Sequence, residues 1–566
     1  MPAGYVVIVE TADSLDDYQP FVLEMTGLDG LLFPEDPEPE FVHVNKNNIA
    51  VMTLQENNGI VLIDLASKTV ISSFSAGTVD LVNIDTDGKD GVISQTSSLE
   101  DVPREPDGVV FISEHYYVTA NEGDMDGGSR GFTVFHTSGE VVYDSGSDMD
   151  QITASVGHYP EERSGKKGSE PENVAFGTFD GTDYLFVNVE RSNLAFVYDM
   201  TDITSPKFKQ VLPTTVAPEG SKVITSRNLF VVANEADDRE NKIRSSITIY
   251  EYAKGHAQYP TIMSKRDKDT GVAIPFSALS GLSPDPTNAN ILYSVEDSAY
   301  ESNRFFTINA KKHPAVITKA TTIVDTMGVL AAENADMVNA DGTVNIDPEG
   351  IAADGAGIFY IASEGRGAAG EDDQTLNYIF KVDSAGIIHG VISLPEEINA
   401  VQTKYGFEGI AYHPEGYLVV CLQRAWGEFE GPLIGVYDLN EDEWAGYVQY
   451  PLDEPESVYG GWVGLSDITY VKDKTFYILE RDNQGGPDAA IKRIYSIDLE
   501  DLALEGEVIE KTLVADLIGA LDFTGGMPQE KIEGLAFTAK GVWIVNDNDG
   551  LADNSGEIQL INLGQL

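Results

Sequence analysis

A short motif that returns nine times constrains this chain more than any other feature. An acidic residue, usually followed by glycine, opens a run of alternating apolar residues: Pro348-Glu349-Gly350-Ile351-Ala352, Phe407-Glu408-Gly409-Ile410-Ala411 and Ile532-Glu533-Gly534-Leu535-Ala536. Looser copies stand at Glu40, Asp107, Glu172, Glu219 and Asp467, and Ser280-Gly281-Leu282 holds the same place without the acid. Neighbouring copies are separated by as few as 47 residues (Glu172 to Glu219) and as many as 68 (Gly281 to Glu349). Each copy is followed 13 to 18 positions later by an apolar run ending on a polar residue: Glu56, Glu122, Glu190, Glu235, Glu296, Glu364, Gln423, Glu480 and Asp547. A third β-branched or aromatic run follows, as in Ile379–Asp383 and Ile494–Asp498.

Each unit therefore reads as strand, tight turn, strand, loop, strand, with room for a fourth. A three- or four-stranded meander repeated in this way is the unit of a β-propeller. The expected fold is all-β: one large propeller ring of about nine blades spanning residues 1–566. The last unit shows three strands, and the strand-like segments Tyr5–Glu10 and Phe21–Met25 are placed to supply its missing edge. The N- and C-termini would then close the ring and protect an open sheet edge. Two smaller rings are the alternative, but no Pro- or Ser-rich linker breaks the spacing.

Charge narrows the partners. Against 93 acidic residues stand 36 basic ones, a formal charge of −57. Duplex nucleic acid and anionic membranes are repelled by such a surface, and cations are attracted. The acids spread along the whole chain, as a solvated surface would have them. No apolar run approaches the roughly 18–20 residues that a membrane helix needs. The single cysteine, Cys421, allows neither a disulfide framework nor a cysteine zinc site and reads as a core residue. Met1-Pro-Ala-Gly4 leads directly into a strand, so no leader is expected in this chain.

Propeller geometry turns the spacing into a site. Successive strands are antiparallel, so the start of the first and the end of the second share one rim. Glu349- and Glu364-type positions become neighbours, and two concentric sets of carboxylates ring the channel mouth. The expected metal ligands are Glu122, Glu172, Glu219, Glu235, Glu349, Glu364, Glu408, Glu533, Asp547 and Asp549. Oxygen-only ligands favour Ca²⁺, with Mg²⁺ as the second choice. The competing reading is that each acid accepts backbone hydrogen bonds at a blade turn. Arginines join this rim at Arg191, Arg366, Arg424 and Arg481, with Arg130 in a neighbouring loop. They either pair with acids between blades or form a fork for phosphate or carboxylate. The expected catalytic set is Glu190, Arg191, Glu480 and Arg481, and the expected substrate contacts are Arg130, His158, Arg366 and Arg424. No serine nucleophile elbow, P-loop or dinucleotide fingerprint stands out.

Several stretches carry a family likeness. Arg104-Glu-Pro-Asp-Gly108, Thr119-Ala-Asn-Glu-Gly-Asp124, Gly128-Ser-Arg-Gly-Phe132 and Gly157-His-Tyr-Pro160 resemble the bacterial choice-of-anchor I proteins. Those are related to the mesenchyme-specific cell-surface glycoproteins of biomineralising animals. Asp347-Pro-Glu-Gly-Ile351, Gly406-Phe-Glu-Gly-Ile-Ala411, Glu480-Arg-Asp-Asn483 and Val545-Asn-Asp-Asn-Asp-Gly550 resemble the phytase-like family, described as having the esterase-like activity of phytase. The expected division is a choice-of-anchor I-like portion over 1–340 and a phytase-like portion over 341–566. The resemblance implies a secreted or cell-surface propeller, and it carries over no catalytic residue. The expected function is an extracellular Ca²⁺-dependent phosphoester hydrolase acting on a phosphorylated small molecule or polymer. The rival is a non-catalytic Ca²⁺-binding surface or matrix protein linked to mineral or polymer.

Overall fold

β-Branched and aromatic residues alternate with polar ones between Gly, Asn and Asp turns, and the backbone follows that period of two. The computed structural model describes residues 4–238, 243–499, 505–522, 526–551 and 554–566. It is all-β, with 47% strand and 8% helix. Of its eleven sheets two are hairpins, which leaves nine sheets of three to five strands. Their innermost strands, in chain order, are Pro39–Val44, Val109–Phe111, Pro171–Phe179, Pro218–Ile224, Leu279–Pro284, Pro348–Ala353, Phe407–His413, Val463–Lys472 and Ile532–Thr538. These define sheets one to nine below, and each opens at or beside one copy of the repeat. The sheets are antiparallel meanders, except that Ile262–Ser264 and Glu505–Val508 add parallel edges to sheets five and seven.

The nine sheets do not form one ring. Inner strands of sheets five, six, seven, eight and nine touch in that order, and sheet nine then packs back on sheet five. Five apolar layers fill the five gaps. The returning layer sets Leu282, Leu292 and Phe306 against Ala536, Trp543 and Val545. Sheets one to four form a row joined by three layers, such as Val118 and Phe132 against Val174 and Phe196 between sheets two and three. Among the described residues no apolar cluster joins sheet four to sheet one. Ile247 and Ile249 of sheet four and Val42 and Val44 of sheet one are exposed.

The termini therefore do not close a ring, contrary to the expectation from the repeat. Tyr5–Glu10 pairs with Gln19–Glu24 as a separate hairpin. That hairpin lays Val6, Ile8 and Leu23 on Ala50, Met52 and Ile63 of sheet one. The three-stranded sheet nine is flanked instead by the segment that leaves sheet four, where Thr261 Oγ1 accepts the backbone N–H of Leu560. The two groups meet along a seam. Asn548 donates to the carbonyl of Gly157 and accepts from Ser277 Oγ and the backbone N–H of Ala278. Cys421 lies buried in the layer between sheets seven and eight, as expected of a core residue.

The glycine of the repeat has a steric cause. Inner strands of the five-sheet ring approach so closely that a Cβ at Gly281 would stand 2.7 Å from the carbonyl of Glu349. A Cβ at Gly350 would strike the carbonyl of Glu408, and one at Gly409 would strike the backbone of Asp467. At Gly220, in the open row, a Cβ would meet nothing within 4 Å. Gly409→Ala is therefore expected to cost about 1–3 kcal/mol through overpacking. Gly220→Ala, at the same repeat position, is expected to be near neutral. Denaturant midpoints of the two variants check the contrast.

Candidate metal centre at the ring mouth

The acids of the repeat reach the axis because the strand is bulged under them. The ladder slips between Pro348 and Gly350, between Phe407 and Ile410, and between Ile532 and Gly534. Sheets one, three and four slip at the same place. A bulge leaves one residue outside the ladder and re-aims its side chain. Sheet eight is bulged one residue earlier, between Leu465 and Asp467, and this gives Asp467 a different task. Its Oδ2 accepts the backbone N–H groups of Leu282 and Leu535, and its Oδ1 that of Ile468. A buried carboxylate thus ties three inner strands together at the axis.

Around that tie the five-sheet ring gathers acids at one mouth. Asp297, Asp347 and Glu349 offer oxygens that all lie within 4.8 Å of one another. Asp347 Oδ1 is buried and receives no hydrogen bond. Burial, reinforced by Asp297 and Glu364, pushes the Asp347 carboxyl up to about 8. Burial holds Glu349 and Glu408 well above the usual carboxylate range, with neighbouring acids adding to the shift. A second group, Asp297, Asp547 and Asp549, lies as close. It is neutralised by Lys531, whose Nζ contacts Asp549 and stands 3.2 Å from Asp547 Oδ2. Donor-free oxygens on clustered carboxylates suit a hard cation. These acidic groups could hold a metal.

The other expected residues at this mouth are accounted for by partners. Glu364 accepts the backbone N–H of Gly406, and Glu408 accepts Gln423 Nε2 at 2.5 Å. Glu533 pairs with Arg481, which also meets Glu530 at 3.3 Å and Ser466 Oγ at 3.0 Å. Arg424 lies over the rings of Tyr405 and Trp462, 5.0 and 5.3 Å from their centres. Arg366 is exposed on its loop.

Three expected positions are corrected by burial. Glu480 lies in a separate network, accepting Tyr450 Oη at 2.7 Å, the Asp453 N–H at 2.7 Å and Lys511 Nζ at 2.6 Å. Its oxygens are saturated, so it has no free face for chemistry. Arg130 is 1% exposed and bonded to Asp150 and to the carbonyls of Asp85 and Ser164. His158 is fully buried; its Nδ1 donates to the Ser192 carbonyl and its Nε2 accepts the Tyr259 hydroxyl. Burial lowers the His158 imidazole to about 4, so it stays neutral. Arg130 and His158 are thus buried and bonded within the fold, away from the solvent-facing position expected of a substrate contact.

The open row carries its own acids. Asp107, Glu122 and Glu172 lie within ligand distance of one another, as do Glu122, Glu170 and Glu190. Arg191 bridges Glu190 at 3.2 Å and Glu170 at 3.3 Å, and Lys167 sits 2.6 Å from Glu122. Burial pushes the Glu190 carboxyl up to about 7. Glu219 is half-buried beside Glu172, and Glu235 is exposed. Sequence reasoning missed Asp297, Asp347, Lys531 and Lys167. The signal for the first two was their place beside the repeat positions Glu296 and Glu349; nothing local marked the lysines.

Comparisons agree with this division. Residues 274–550 match the phytase-like family, described as esterase-like activity of phytase. Residues 21–127 and 125–203 match the choice-of-anchor I domain. The chain thus carries a match to the choice-of-anchor I model followed by a match to the phytase-like model. The first match points to a surface or extracellular protein, the second to a hydrolase-like esterase activity. Among the described residues no helix is long and apolar enough to cross a membrane. No curated protein matches the chain. Similar solved structures include Kuenenia stuttgartiensis hydrazine synthase, at 12% identity and a TM-score of 0.26 over 68% of this chain and 93% of that one. Virginiamycin B lyase from Staphylococcus aureus matches at 12% identity and a TM-score of 0.22, over 69% and 94%. Likeness at this level carries no argument about function.

Two outcomes follow from the mouth. Between about pH 4 and pH 8 the folded chain holds a proton on Asp347 that the unfolded chain has released. In chelator, stability therefore falls as pH rises through that window. Asp347→Asn is expected to melt above the wild type at pH 8 and level with it near pH 4, as thermal unfolding against pH will show. Arg481→Ala strands Glu533 in a buried site, so about 3–5 kcal/mol of stability is expected to be lost, read by denaturant unfolding.

Proposed function

We propose that the chain is a Ca²⁺-dependent phosphoester hydrolase working outside the cell, with its centre in the phytase-like portion. The carrying observation is the group Asp297, Asp347 and Glu349, whose Asp347 Oδ1 has no donor and which has no cation of its own closer than Lys531. These three residues would hold the ion. When bound, Ca²⁺ supplies a Lewis acid that polarises a phosphoryl oxygen and acidifies water. Lys531 and the half-buried Arg424 stand at the same end of the ring and are suited to phosphate oxygens. Arg481, committed to Glu533 and Glu530, is a positioning residue that holds Glu533 in place. Burial holds the Glu408 carboxyl well above the usual carboxylate range, which suits it to protonate a leaving oxygen. The substrate class is a phosphorylated small molecule or polymer.

A second reading, a non-catalytic Ca²⁺-binding surface protein, is favoured by one observation. Arg191 and Arg481 spend their donors on carboxylates of this chain instead of presenting them. A panel of phosphomonoesters and phosphodiesters, assayed with Ca²⁺, with Mg²⁺ and in chelator, separates the two. Turnover that needs Ca²⁺ and falls roughly a hundredfold or more in Asp347→Asn is expected. No turnover with any divalent metal overturns the hydrolase. A melting temperature that chelation leaves unchanged overturns both readings.

A further inference from the structure

The four-sheet row has a vacancy in its packing and an excess of charge at the same end. Three apolar layers serve four sheets, and Asp107, Glu172 and Glu219 come from three successive ones. Asp107 and Glu172 are 5% and 7% exposed, and Asp107 Oδ1 receives no hydrogen bond. The two carboxyls touch each other, and Glu172 also touches Glu219. Lys167 and Gln55 already satisfy Glu122, at 2.6 and 2.5 Å. Among the described residues the buried Asp107–Glu172 pair has no counter-charge of its own. The backbone around the pair is anchored: Thr53 Oγ1 donates to the Asp107 carbonyl, and the Gly108 N–H to the Glu172 carbonyl. The carboxyls are thus held in place and closely spaced, and Asp107 Oδ1 has no donor, an arrangement that suits a hard divalent cation.

We propose that this mouth is a second divalent-cation site, of Ca²⁺ type, in which Asp107 and Glu172 are the principal ligands, Glu122 and Glu219 complete the oxygen set, and the ion cross-links sheets two, three and four. Asp107, Glu122 and Glu172 lie within the choice-of-anchor I match and Glu219 just beyond it, and the site does not rest on the hydrolase reading. Its role is mechanical: an ion shared by sheets two, three and four ties their inner strands together at this mouth.

The test uses the full chain, stripped of metal and refilled with Ca²⁺. The double variant Asp107→Asn/Glu172→Gln is compared with Asp347→Asn. Equilibrium dialysis is expected to show about two strong Ca²⁺ equivalents in the wild type and about one in each variant. The double variant is expected to keep whatever ester hydrolysis the wild type has, and to lose part of the rise in melting temperature on adding Ca²⁺. Crystals soaked in a lanthanide salt should show an anomalous peak within coordinating distance of Asp107 and Glu172. This reading survives a double variant that fails to fold, and Glu172→Gln alone then supplies the binding comparison. The proposal is overturned if the variant binds as much Ca²⁺ as the wild type. It is equally overturned if no peak appears there, or if the variant melts higher with and without Ca²⁺ alike, the mark of two carboxyls that share a proton and no metal.

Discussion

Close approach of inner strands at the ring axis is the constraint on which the rest depends. Five sheets can meet around one axis where their innermost strands shed side-chain bulk. Gly281, Gly350, Gly409 and Gly534 do this at the points of contact. Those strands must also satisfy their backbone donors where the ladder is bulged. Asp467 supplies the acceptor, taking N–H groups from the strands of sheets five and nine as well as its own. The acid of the repeat and the glycine after it thus have separate causes. The glycine permits contact, and the bulge it sits in turns the acid toward the mouth.

Electrostatics follows from the same packing. Carboxylates carried on crowded strands are brought within a few ångströms of one another and out of water. Each of them favours a proton, a cation or a donor. The two mouths use all three solutions. Arg481, Lys531 and Lys167 neutralise some acids, backbone N–H groups and glutamines satisfy others, and the remainder are held above the usual carboxylate range. Buried carboxylate oxygens left without a donor, on Asp347, Asp107 and Glu533, mark where an ion would relieve most repulsion.

Much of this was legible in the chain. Period-two alternation and the turn residues made the strands visible, and the repeat placed the acids of each unit at one rim. The site was legible as a zone and not as a set. Asp297 and Asp347 sit beside repeat positions, yet their neighbours in space come from strands far away in the chain. Lys531 reaches Asp547 and Asp549 across the mouth, a contact no local pattern announces. Arg130 and His158 looked functional because rare residues in Gly-rich loops draw attention. Their loops turn inward, where both side chains are buried and hydrogen-bonded to the chain's own groups.

The amino-acid sequence by itself determined the units: nine strand meanders, eight of them opening on an acid, in a strongly acidic chain. Tertiary structure alone decided how they are shared out. Strand pairing within a unit depends on residues close in the chain, and alternation reports it directly. Ring closure depends on whether sheet nine fits sheet five or the N-terminal hairpin, a match of side-chain volumes between segments separated by hundreds of positions. Leu282 and Phe306 against Ala536 and Trp543 won that contest. It closed five sheets on themselves, left four in an open row, and divided one expected mouth into two.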